Sequence, residues 1–205
     1  MKIKICGITN LNDAIAISES GADYIGMIFV KNSTRYITSE SANMIASQKM
    51  SALRVGVFCN ENISEISRKI EAYNLSVVQL HGNENYEYIE ILKELNVEVW
   101  KTVWLNSIKD VDDAINLNAD KLLVDSKVGN LSGGTGKLAN WNLAELLSNK
   151  RRIILAGGIS VDNAFSAIAK INPFALDLNS SVEFSVGKKD IIKITKFLKK
   201  IKSKI

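Results

Sequence analysis

Apolar and polar positions follow two rhythms along the chain. Short runs rich in Ile, Val and Leu recur at steps of roughly 20–30 residues. Most are followed by a stretch whose apolar residues return every three or four positions, as on one face of a helix. The first run, Lys2-Ile3-Lys4-Ile5-Cys6, alternates with the period of a strand. Gly7 breaks it, Thr9 or Asn10 is a suitable helix N-cap, and a helix marked by Ala14 to Ile17 is stopped by Gly21. Further runs are Tyr24–Phe29, Arg54–Cys59, Val77–Gly82, Val97–Trp104, Lys121–Asp125, Arg152–Ala156 and Phe174–Leu178. The spacing predicts helices over Ser41–Gln48, Tyr86–Leu95, Trp141–Leu147, Ala164–Ala169 and Lys189–Lys202, and Ile63, Ile66 and Ile70 mark another.

Eight strand–helix units in strict alternation imply a parallel sheet with right-handed crossovers. Eight let the sheet close, so the expected fold is α/β, a (β/α)₈ TIM barrel spanning residues 1–205 as one catalytic domain. The rival, an open doubly wound sheet, usually carries a G-x-G-x-x-G first turn, and Cys6-Gly7-Ile8-Thr9 is not one.

Composition narrows the class without redirecting it. Apolar residues make up 46% and charged residues 23% of 205, as in globular chains. The net charge of +4 owes much to Lys196, Lys199, Lys200, Lys202 and Lys204. These read as the solvated face of a terminal helix, and no aromatic interleaving suggests a nucleic-acid surface. Cys6 and Cys59 form neither a disulfide framework nor a zinc pattern, which suits a reducing cytoplasm. No apolar run reaches the roughly 18 residues of a membrane span, and no signal peptide is expected.

In such a barrel the C-terminal ends of the strands converge on one mouth. They would deliver Cys6, Arg35 from the second loop, His81, Asp125, Gly157 and Gly158, and Asp177 with Ser180 and Ser181. Cys6 could act as a base if partly ionised, or be a small buried hydrophobe. Cys59, which lacks a Gly turn, reads as structural. Asp125 ends an apolar run, where desolvation would let its carboxyl keep a proton to donate. His81, the only histidine, would line the pocket, and Asp177 would support the eighth loop.

Gly157-Gly158 would open a helix with free N–H groups facing an anion. Ser180-Ser181 predicts a short extra helix near Val182-Glu183-Phe184. A phosphate site built from these two loops fits the fold. No Walker pattern and no metal-ligand cluster is present, so neither nucleotide-driven nor metal-driven chemistry is expected.

The segments Lys4-Ile5-Cys6-Gly7-Ile8-Thr9, Gln79-Leu80-His81-Gly82, Asp125-Ser126, Gly133-Gly134-Thr135-Gly136 and Leu155-Ala156-Gly157-Gly158-Ile159 occur in this order. Together they resemble the phosphoribosylanthranilate isomerases of tryptophan biosynthesis, over nearly the whole chain. The resemblance implies an Amadori rearrangement of an aminoaldose to an aminoketose without a cofactor. It implies Asp125 as general acid on the furanose ring oxygen and Cys6 as general base at C2. Arg35 would contact the anthranilate carboxylate or orient the substrate, and the Gly-rich loop after the sixth strand would close over the site. Thr34, Ser181 and Val186 depart from the family's Pro, Gly and Pro. The partner implied is a phosphorylated small molecule, with the protein a monomer or homodimer. Rival readings are another phosphosugar barrel, either a histidine-pathway aminoaldose isomerase or a pentose-phosphate epimerase, and a phosphometabolite-binding barrel without turnover. The pairing of Cys6 with Asp125 argues against the first two.

Overall fold

The computed structural model describes residues 1–128, 131–132 and 139–203. Eight parallel strands close on themselves: β1 (Lys2–Ile5), β2 (Tyr24–Ile28), β3 (Leu53–Phe58), β4 (Val77–Leu80), β5 (Glu98–Val103), β6 (Lys121–Val124), β7 (Ile153–Leu155) and β8 (Ala175–Leu178). Each neighbours the next, and β8 pairs with β1 in the register Lys4 opposite Asp177. The helices are α1 (Leu11–Glu19), α2 (Ser39–Ala46), α3 (Ile63–Tyr73), α4 (Tyr86–Lys93), α5 (Ile108–Ile115), α6 (Trp141–Ser148), α7 (Ala164–Ile171) and α8 (Ile191–Lys202). This is the expected (β/α)₈ TIM barrel.

Local chemistry sets the helix ends. The Asn10 side chain accepts from the Asp13 N–H, so α1 starts at Leu11, three residues before its first buried alanine. Ser107 and Asp110 form a reciprocal capping box on α5. Asp190 caps α8 by accepting from the Lys193 N–H, and Lys188–Lys189, expected near the helix start, is instead a short strand paired with Glu183–Ser185.

Strand side chains alternate between two cores. Ile3, Ile5, Ile25, Met27, Val78, Leu80, Leu122 and Val124 face outward and pack beneath the helices. Tyr24, Val55, Val77, Trp100, Leu123, Ile154 and Ala175 face inward and fill the lower barrel. Period two then fixes which residues climb inward toward the strand ends. They are 4 on β1 and 6 just after it, 125 after β6, and 177 on β8. The Lys–Ile alternation of β1 therefore has its polar face inside the barrel and its isoleucines beneath the helices.

Candidate active site

The inward positions above the apolar layer open into a cavity of about 950 Å³. Cys6, Arg35, His81, Asp125, Gly157, Gly158, Ser180 and Ser181 all line it, as do Gln79, Trp104 and Asp177. Every residue singled out in the sequence as a candidate thus reaches one space.

Cys6 follows β1, and its N–H donates to the Leu178 carbonyl at 2.8 Å. Burial pushes the thiol up from its ordinary pKa, and the nearby Lys4 ammonium opposes that rise. The chain then turns at Gly7 with φ +73°. A Cβ there would lie 2.6 Å from Asn179 Oδ1 and 2.8 Å from Arg35 Cδ, so only glycine fits.

Asp125 leaves β6 with its Oδ1 accepting from the Ser126 N–H at 2.6 Å. Burial pushes its carboxyl up to about 6; the Asp177 carboxylate adds to the rise, and the Ser126 N–H and Lys4 oppose it. His81 Nε2 stands 3.8 Å from Asp125 Oδ2, while Nδ1 pairs with Thr102 Oγ1 at 3.0 Å. The imidazole sits edge-on to Trp104, with ring centres 5.7 Å apart. Gly157 lies close against Asp125. Its φ is +67°, and a Cβ would meet Ser126 N at 2.6 Å and Asp125 Oδ1 at 3.1 Å. The glycine expected to serve an anion thus also makes room for the acid.

The seventh and eighth loops meet beside these groups. Gly157 and Gly158 both have positive φ. They do not open a helix directly: the Gly158 carbonyl accepts from Asn163 Nδ2 at 2.9 Å, and α7 starts only at Ala164. Ser180–Val182 forms a single 3₁₀ turn, whereas Glu183 and Phe184, expected near a short helix, lie in the strand Glu183–Ser185 that pairs with Lys188–Lys189. The Ser181 hydroxyl donates to the Ile159 carbonyl at 2.6 Å, which ties the two loops together. The serine that stands for a glycine is thereby accommodated by a backbone acceptor.

Arg35 is held from the same loop. Its Nε and Nη2 donate to both oxygens of Glu183, at 2.8 and 2.7 Å. Lys189 Nζ donates to Glu183 Oε1 at 2.9 Å and to Asn179 Oδ1 at 3.0 Å. Burial works against the Glu183 charge, but the two cations hold its carboxyl below the usual range. One carboxylate therefore fixes the cation of the second loop against the eighth.

Lys4, Glu183 and Lys189 were not among the expected site residues. Lys4 and Asp177 form a buried pair, with Nζ 2.7 Å from Oδ2. The signal was present, since Lys4 shares the face of Cys6 two residues on. Asp177 reaches the mouth as expected and also pairs with Lys4. Cys59 is exposed at the cavity rim and is not a buried structural thiol. The Gly133-Gly134-Thr135-Gly136 segment, expected to close over the site, lies outside the described residues. Among the described residues no cluster of three or more His, Cys, Asp or Glu side chains could hold a metal ion.

Comparison with known proteins follows the same lines. Residues 3–200 match the family model described as N-(5'-phosphoribosyl)anthranilate (PRA) isomerase. The N-(5'-phosphoribosyl)anthranilate isomerase of Thermotoga neapolitana is 40% identical over 204 residues, covering 98% of both chains. Monomers derived from the dimeric phosphoribosylanthranilate isomerase of Thermotoga maritima superpose with a TM-score of 0.88 at 38% identity, covering 99% of both chains. A phosphoribosyl anthranilate isomerase in complex with reduced 1-(o-carboxyphenylamino)-1-deoxyribulose 5-phosphate gives 0.87 at 36% identity over the same shares.

Proposed function

The chain belongs to the N-(5'-phosphoribosyl)anthranilate isomerase family, and we propose that Cys6 is the base and Asp125 the acid of the family's reaction. The protein is an isomerase of tryptophan biosynthesis. It converts N-(5'-phosphoribosyl)anthranilate to 1-(o-carboxyphenylamino)-1-deoxyribulose 5-phosphate. The roles of its residues follow from the chemistry of that conversion.

Asp125, whose carboxyl burial pushes up to about 6, donates from its protonated form to the furanose ring oxygen. The C1–O bond breaks and the anthranilate nitrogen becomes an iminium. The iminium acidifies the C2–H, and the Cys6 thiolate takes that proton. The electron pair moves into the C1–C2 bond, giving an enolamine, which tautomerises to the C2 ketone as C1 is protonated. A carboxyl with a pKa of about 6 suits the first transfer. Trp104 and His81 offer an aromatic wall beside Asp125. The Gly157-Gly158 turn and the Ser180–Val182 turn supply backbone N–H groups for the phosphate. Arg35 meets the anthranilate carboxylate while Glu183 orients its guanidinium.

The observation that carries this reading is that Cys6 and Asp125, delivered by β1 and β6, line one cavity. Anthranilate-type fluorescence should decay when enzyme meets substrate. The decay should vanish with Cys6→Ala; decay at the unaltered rate in that variant overturns the assignment. Two further points belong to the proposal. The chain works as one catalytic domain, alone or as a homodimer, the state named for the Thermotoga maritima relative. It resides in the cytoplasm, where its two free thiols are stable.

A further inference from the structure

β1 sends two polar groups up the inside of the barrel, and the proposed proton transfers use only one. Lys4 is fully buried. Its Nζ donates to Asp177 Oδ2 at 2.7 Å, across the seam where β1 meets β8. The other carboxylate oxygen, Asp177 Oδ1, is buried with no hydrogen-bond partner. As a stability device this is poor. A buried ion pair often does no better than apolar residues of similar volume, and an orphaned acceptor adds cost.

The surroundings suggest another use. A Cβ on Gly26 would fall 2.7 Å from Cys6 Sγ and 3.1 Å from Lys4 Cε. The sulfur and the lysine stem therefore share a space that only glycine leaves open. Four charged side chains face the thiol: Lys4 on β1, Asp177 on β8, Lys189 from the hairpin after β8, and Arg35 from the loop after β2. Arg35 and Lys189 are held by Glu183. Lys4 has a single carboxylate oxygen as its hydrogen-bonded anion, and an ammonium has three donors.

We propose that Lys4 and Asp177 form a charge couple that sets the ionisation of Cys6, with Lys4 the positioning cation of the thiolate. The inference rests on Cys6 being the base. The thiol proton leaves to solvent before turnover, the ammonium stays beside the sulfur, and the C2 proton of the substrate later forms the new S–H bond. Asp177 and the Cys6 thiolate both favour a charged Lys4 in its buried site, so the ammonium remains without Asp177, while Asp177 itself restrains the thiolate. Asp125 feels both groups through charge alone, whereas Lys4 also hydrogen-bonds the Cys6 side chain. The productive form has Asp125 protonated and Cys6 ionised. Its share falls about tenfold for each unit that separates their midpoints. Lys4 narrows that gap.

The test titrates the whole protein by thiolate absorbance near 240 nm, with Cys6→Ala as the blank. In Lys4→Met the Cys6 midpoint should rise by about one unit or more, and kcat should fall at least about tenfold at neutral pH while KM stays within about twofold. In Asp177→Asn the midpoint should move down. A midpoint unmoved in folded Lys4→Met, even with lower kcat, would reduce the pair to a seam clamp and overturn the proposal. Should Lys4→Met fail to fold, Asp177→Asn decides by sign, and an unmoved or raised midpoint overturns it. Failure of the underlying reading looks different: Cys6→Ala would then turn substrate over at the wild-type rate while both midpoints still shifted.

Discussion

The inside of the barrel has two storeys built by the same strands. In the lower one Tyr24, Val55, Val77, Trp100, Leu123 and Ile154 pack tightly, and the Trp100 side chain is fully buried. One step higher, the same inward register presents Cys6, Gln79, Asp125 and Asp177 to a cavity. The lower storey satisfies its polar atoms: the Trp100 indole N–H donates to Glu98 at 2.6 Å. The upper one leaves Asp177 Oδ1 and Gln79 Oε1 buried without partners, and it raises the pKa of both Cys6 and Asp125. Packing below supplies the rigidity that lets unfavourable groups persist above. The division between storeys is one of labour as well as of polarity.

Substitutions can test how clean that division is. Cys6→Ala should lower kcat by roughly 10²–10⁴, the range for one general acid or base, and leave the thermal midpoint almost where it was. A comparable loss of stability would blur the two storeys. Trp100→Ala should do the reverse. It should cost about 3–5 kcal/mol in denaturant unfolding, while the molecules that remain folded turn over normally.

Asp125→Asn sharpens the contrast, because it should lose activity and gain stability. The folded-state pKa of about 6 lies above the ordinary aspartate value of 3.8. Between those values the folded protein binds more protons than the unfolded chain, so stability declines as pH rises from about 4 to 6 and stays lower above. Removing the charge should restore about 1–3 kcal/mol at pH 7 and flatten the dependence, as chemical unfolding at pH 4 and pH 7 would show. Because the productive form pairs a protonated Asp125 with an ionised Cys6, whose thiol titrates above Asp125, kcat/KM should climb with pH up to about 6, hold level, and fall only above the thiol midpoint. The smallest effect belongs to Ser181→Ala. It breaks the hydroxyl bond to Ile159 and should cost about 0.5–1.5 kcal/mol, with KM rising more than kcat falls, read from steady-state kinetics.

The sequence carried the strand–helix alternation because each unit has to bury one face against the sheet. Cys6 and Asp125 were legible for a similar reason, since each ends an apolar run at the edge where strands deliver side chains. Lys4 was not picked out. Alternation marks a strand but does not say which face is inside, and in β1 the charged face is the buried one. The Glu183 clamp was hidden for another reason. Its partners lie 148 and 6 residues away, and no local pattern announces such a pairing. The start of the seventh helix at Ala164 was legible, but the idea that Gly157-Gly158 opens it was not right, because Asn163 takes up the Gly158 carbonyl before the helix begins.

The Glu183 carboxylate joins two contacts that could have been independent. It grips Arg35, proposed for the anthranilate carboxylate, and is anchored, through its own loop, to the turn proposed for the phosphate. With Arg35 and the two turns in their proposed roles, the two ends of the ligand would be read at a fixed separation, and the enzyme would act as a gauge of molecular length. An analogue one bond longer or shorter between carboxylate and phosphate would have to release one end to keep the other.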